Sequence, residues 1–178
     1  MATAAHQPAQ KGTIVSLESG ALQTPVTDFK VPGILDGEVK SMDVLDPTEK
    51  NEKTALLEED DEFAVRLIWQ LSGAATTVVG GYWVVSLYSK NMDAVGPMQG
   101  LISGPAVIPI HGAAGPLTFK HTFRVRPPKP RQGLYKLTAT INHSPTGDPK
   151  KVSEMFGFAE STPIDIRESV IEVEAAKD

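Results

Sequence analysis

Histidine is where chemistry would first be sought, because the chain has four histidines and no cysteine. His121 lies between Phe119 and Phe123, on the apolar side of an alternating segment, so it reads as a packed, hydrogen-bonded ring. His143 closes another alternating segment, and His111 lies in a stretch rich in Gly and Pro. A zinc site needs at least three converging donors, and no His stands two or four residues from an Asp or Glu. Nucleophile motifs are missing too. Gly100-Leu101-Ile102-Ser103-Gly104 has the wrong spacing for a G-x-S-x-G elbow, and the glycines from Gly73 to Gly81 lack the Lys-Ser or Lys-Thr of a phosphate loop. The run Glu58-Glu59-Asp60-Asp61-Glu62 has no Asp-x-Asp-x-Asp-Gly pattern for calcium and reads as a solvated connector. These residues predict no catalytic centre, no metal site and no cofactor. An unrecognised hydrolase would betray itself by turnover that depends on His121 or His143.

Binding residues are easier to name. Residues 1–62 carry five basic and thirteen acidic side chains, a net −8, while residues 117–151 carry eight basic and one acidic, a net +7. That asymmetry makes Lys120, Arg124, Arg126, Lys129 and Arg131 the candidate interaction surface. A nucleic-acid partner is argued against, because no aromatics interleave with these cations and the whole chain carries −5. Tyr82, Tyr88 and Trp69 are the aromatics from which a sugar-binding platform could be built, although packing alone would account for them.

The elements that must position these groups are strands. In residues 133–143, Tyr135, Leu137, Ala139 and Ile141 alternate with Lys136, Thr138, Thr140 and Asn142, the period of a half-buried strand. Phe63, Val65, Leu67, Trp69 and Leu71 repeat the pattern, as do Trp83, Val85 and Leu87, and then Leu117, Phe119, His121, Phe123 and Val125. Val84 faces the other way from Trp83, which predicts that the outer side of its strand is partly covered. Gly96-Pro97, Gly104-Pro105 and Gly115-Pro116 confine residues 91–116 to loops, edges and one short strand near 106–110. A last pair of strands is predicted at about 152–160 and 162–167. Residues 46–62 read as a charged connector with a helical turn near Ala55.

Residues 63–167 thus form about 105 residues of short strands and turns. With Gly133 two residues before Tyr135 and a tryptophan, Trp83, on the second strand, this stretch resembles an immunoglobulin-like domain. The resemblance implies an all-β, antiparallel sandwich of about seven strands, with Tyr135 as a tyrosine corner whose hydroxyl bonds upstream backbone. It departs from antibody domains in lacking the cysteine pair. The predicted organisation is an acidic N-terminal arm and connector (1–62), the sandwich (63–167) and an acidic tail (168–178).

With no signal peptide visible and no stretch near the roughly 20 apolar residues of a membrane helix, the expected location is the cytoplasm, with no membrane partner. The arm carries apolar anchors, Ile14, Val15, Leu17, Phe29, Val31, Ile34 and Leu35, that require burial. The sequence therefore predicts a non-enzymatic structural or protein-interaction protein, a subunit of a homo-oligomer or larger assembly held partly by its arm. A ligand-binding sandwich module, for a glycan or an anionic ligand, is the alternative.

Overall fold

The computed structural model describes residues 21–22, 34–47, 51–93, 99–126 and 132–169. Alternation builds the sandwich. In β5 (Phe63–Ser72) the residues Phe63, Val65, Leu67, Trp69 and Leu71 are buried, while Arg66, Ile68, Gln70 and Ser72 stay part-exposed. The same rule buries Trp83, Val85 and Leu87 on β6 (Tyr82–Asn91), and Tyr135, Leu137, Ala139 and Ile141 on β9 (Gly133–Ser144). Each buried Val, Leu, Ile or Phe among them stabilises the fold by roughly 1.5–3 kcal/mol relative to exposure.

Two sheets face one another. In the first, β1 (Ala21–Leu22), β2 (Asp36–Asp46), β5 and β8 (Leu117–Val125) lie in that order, with β3 (Glu52–Lys53) on the end of β2. In the second the order is β4 (Leu56–Glu58), β11 (Ile164–Arg167), β9, β6 and β7 (Gln99–Pro109). There β10 (Phe156–Glu160) pairs with residues 138–142 of β9, and β11 with residues 133–135. Ser161 fills the step between these two partners: its Oγ accepts from Leu137 N–H at 3.1 Å, and its own N–H donates to Leu137 O at 2.9 Å. All pairings are antiparallel except β4 with β11.

In immunoglobulin lettering, β2, β5 and β8 stand as A, B and E, and β11, β9, β6 and β7 as G, F, C and C′. The all-β antiparallel sandwich is therefore present, with Trp83 on C and Tyr135 near the start of F. Leu137, fully buried two residues beyond Tyr135, occupies the place where antibody domains put the second cysteine. The backbone just upstream that a tyrosine corner would use, residues 127–131, lies outside the described residues. The Tyr135 hydroxyl accepts from the side chain of Asn91, its cross-strand neighbour, at 3.3 Å.

Two pieces read as arm and connector are strands of the sandwich. β2 runs the length of β5 and gives Val39 and Val44 to the core, and β4 gives Leu57 in place of the expected helical turn. Periodicity hid β2, because a bulge between Val39 and Ser41 breaks its alternation and its charged residues face outward. The path into β2 explains Gly73, whose φ is +120°. A Cβ there would lie 2.4 Å from Ile34 O, the atom that accepts from Ala75 N–H at the start of the 3₁₀ turn Ala74–Thr77. Val84, on the outer side of β6, is 3% exposed, so that side is covered as the sequence suggested.

The edges differ in kind. β1 and β4 are two and three residues long. β7 is longer but irregular, with two register shifts against β6 and prolines at 105 and 109. β8 runs nine residues opposite β5 in unbroken register, from Leu117 facing Leu71 to Val125 facing Phe63. Among the described residues, no helix is long and apolar enough to cross a membrane.

Candidate binding surface

β10 is inverted. Its small residues, Gly157 and Ala159, face the core, and its aromatics, Phe156 and Phe158, face outward, with Phe156 41% exposed. Register then fixes their neighbours. Phe156 lies opposite Asn142 and Phe158 opposite Thr140, both on β9. On the far side of β9, Thr138 lies opposite Tyr88 of β6. The outer face of the second sheet therefore has a floor of short, uncharged hydrogen-bonding side chains (Thr138, Thr140, Asn142) between walls made by Tyr88 and the two phenylalanines. The trough encloses about 290 Å³.

Both ends are held. At one end Lys136 forms an ion pair with Glu160. Beyond the other, the chain turns sharply after β9. The buried Ser144 hydroxyl reaches Asp148 O at 3.1 Å and Lys151 O at 2.9 Å, and Gly147 packs on Tyr82. His143 fastens this turn from the inner side. Its Nε2 donates to Gly80 O at 2.8 Å, because a carbonyl can only accept. In the neutral ring Nδ1 therefore accepts from Ser153 Oγ, 2.9 Å away, and Ser153 Oγ accepts in turn from Met155 N–H. The ring also meets Trp83 edge-on at 5.9 Å. Gly81 (φ +90°) is required here, since a Cβ would come within 2.9 Å of His143 Nε2. With both nitrogens committed, His143 works as a clamp.

His121 sits half-buried on the inner face of β8, edge-on to Phe123 at 4.6 Å, and burial pushes its pKa below the ordinary histidine value. His111 is exposed in the loop before β8. Among the described residues, no three His, Asp or Glu side chains gather as a metal site would require. Of the aromatics considered for a sugar platform, Trp69 is fully buried against Trp83 and Phe119, Tyr82 stands at the Gly147 turn, and only Tyr88 lines the trough. Phe156 and Phe158 were missed. The signal was present in Phe156-Gly-Phe158-Ala, where large and small residues alternate, but an apolar ring is ordinarily assigned to the core.

Lys120 and Arg124 lie exposed on the outer face of β8 with Arg126 just beyond, while Lys129 and Arg131 fall outside the described residues. Glu62 takes both arginines, Arg126 Nε at 2.8 Å and Arg124 at 3.7 Å, because the Phe63–Val125 register brings them side by side. Of the arm anchors, Leu35 packs on the core and Ile34 is 43% exposed; Ile14, Val15, Leu17, Phe29 and Val31 lie outside the described residues. Residues 1–33 are electrically neutral, with two charges of each sign, so the −8 belongs to residues 34–62, half of it to strands of the sandwich.

A second cleft, about 460 Å³, opens between β2 and the end of β10, beside Met42, Asp43, Lys53, Glu160 and Thr162. Its acids are already engaged, Glu160 by Lys136, and Asp43 by Lys53 at 2.7 Å and Arg66 at 3.0 Å. Burial raises the Asp43 pKa, but the hydrogen bonds and charges of Lys53 and Arg66 outweigh it, leaving the carboxyl below its ordinary value.

No protein-family model matches the sequence, and no curated protein matches it. Solved structures match in shape. The C-terminal domain of wzt superposes with a TM-score of 0.51 at 10% identity, over 80% of this chain and 83% of that one. A β-glucosidase from Listeria innocua, in complex with glucose, gives a TM-score of 0.43 at 11% identity, over 77% of this chain. The protein spans 16% of the length of that β-glucosidase. At such identities the likeness to the wzt domain shows the fold alone, an all-β sandwich.

Proposed function

We propose that this protein is a non-enzymatic binding module that holds an uncharged, hydroxyl-rich chain, a glycan, in the trough on the outer face of its second sheet. One observation carries the reading: Phe156 and Phe158 face solvent across a floor of Thr138, Thr140 and Asn142. Large apolar side chains turned outward beside small ones turned inward mark a surface kept for contact. A sugar ring offers an apolar C–H face and a rim of hydroxyls. The aromatic walls match the first, and the Thr and Asn side chains, which donate and accept without charge, match the second.

The test is calorimetric titration of the full chain with neutral oligosaccharides of several linkages. At least one is expected to bind saturably. Phe158→Ala should abolish that binding while leaving the melting temperature near the parent's, because the ring is outside the core. Absence of saturable binding across the panel, or binding that survives Phe158→Ala, would overturn the proposal.

A further inference from the structure

The edge of the first sheet points to a second copy of this chain. β8 is the only long, regular outer edge among the described residues: it contains no Gly or Pro, and its register against β5 has no bulge. Sandwiches usually blunt such an edge by shortening it, bulging it or placing proline in it, as β1, β4 and β7 do here. The core behind β8 is also incompletely closed. Phe119 contacts both tryptophans, at 5.5 and 5.9 Å, yet remains half-buried, as does His121.

We infer that two copies pair antiparallel through their β8 strands, with the two-fold axis at His121, joining the first sheets of the two sandwiches into one. In that register Leu117 meets Val125 and Phe119 meets Phe123 of the second copy on the inner face, giving aromatic and aliphatic cross-strand pairs. On the outer face, Thr118 meets Arg124 and Lys120 meets Thr122, so no cation stands opposite a cation. Neighbouring registers lack this property. An axis at Lys120 sets Lys120 against itself, and an axis at Thr122 sets Lys120 against Arg124. Like charges directly opposite destabilise a strand pair, so the sequence of β8 selects the His121 register. The inference is independent of the trough, which lies on the outer face of the other sheet.

The native absence of cysteine makes the register directly readable. In the full chain, His121→Cys places two thiols across the axis. Antiparallel partners have Cα atoms about 4.5–5.5 Å apart, within disulfide reach. Mild oxidation should therefore give a covalent dimer, whereas Thr118→Cys, whose opposite residue is Arg124, should give little. Sedimentation equilibrium of the cysteine-free chain supplies the second readout. Thr122→Glu puts a carboxylate opposite each Lys120 and should tighten the dimer; Thr122→Lys should weaken it. Two symmetric pairs give a change of about twofold to thirtyfold in Kd in each direction. Thermal melts of both variants at low concentration check that the monomer still folds. A chain monomeric at all concentrations, equal cross-linking at 121 and 118, or a dimer insensitive to both Thr122 changes would overturn the inference. So would a dimer lost on deleting residues 1–20, which would assign the edge to the N-terminal segment.

Discussion

Trp83→Ala and Trp83→Phe should separate sharply in stability. Trp83 is fully buried and meets Trp69 at 6.3 Å, Phe119 at 5.9 Å and His143 at 5.9 Å, all edge-on. Truncation to Ala removes all three contacts and opens a cavity between the sheets, at a cost of about 3–5 kcal/mol. That is a large part of the roughly 5–15 kcal/mol available to a domain, so the variant should be unfolded or close to it. Phe is another matter. The Trp83 indole N–H is buried without a hydrogen-bond partner. Removing it relieves a desolvated donor worth about 1–3 kcal/mol. Against that stands a void of about 40 Å³ at about 24 cal/mol per Å³, roughly 1 kcal/mol. The two effects oppose, and Trp83→Phe should fall within about 1–2 kcal/mol of the parent. Urea denaturation followed by far-UV circular dichroism measures both, since the indole fluorescence is itself altered. A Phe variant as damaged as the Ala variant would mean that the N–H is bonded and this account of the core is wrong.

Two further outcomes are expected. Asp43→Asn tests the ion cluster: the folded carboxyl titrates below its ordinary value, so its stabilisation is present above about pH 4 and disappears as pH falls through the folded pKa. The stability gap between parent and variant, measured by urea melts from pH 7 to pH 2.5, should close in acid; a constant gap would mean the charge contributes nothing. Deleting residues 1–45 removes nearly all of β2 and with it Val39 and Val44, so that chain should lose cooperative unfolding, whereas deletion of residues 1–20 should leave the melt of the sandwich intact. A cooperative melt after the longer deletion would place β2 outside the folding unit.

The inner faces of β5, β8 and β9 were legible because each strand has an inner side more buried than its outer one, so Tyr135 and His121 could be oriented by parity alone; Trp83 followed from the same alternation on β6, although the outer side of that strand is covered at Val84 and Ser86. β2 was not, because its bulge shifts the parity and its outward charges resemble those of a linker. Parity also put Lys120 and Arg124 on the outer side of β8, but the pairing of Arg124 and Arg126 with Glu62 depends on a register 62 residues across the chain that no local pattern encodes. The trough was least legible. Its floor was visible as Thr138, Thr140 and Asn142 on the polar side of β9, whereas its walls required a strand whose apolar side faces out, against the rule that makes strands readable at all.

The parallel pairing of β4 with β11 has a consequence for the birth of the molecule. Leu57 lies opposite Ile166, 109 residues later in the chain. At about 5–20 residues per second, the ribosome delivers the second strand about 5–20 s after the first. Throughout that interval the nascent chain carries an apolar Leu57 with nowhere to bury it, and the second sheet lacks an edge. Contacts of such long separation also slow the folding search itself. The acidic run Glu58 to Glu62 begins at the waiting strand's last residue. A cluster of negative charge directly beside an unpaired strand disfavours its pairing with a like-charged copy, a protection this strand needs until residue 167 arrives.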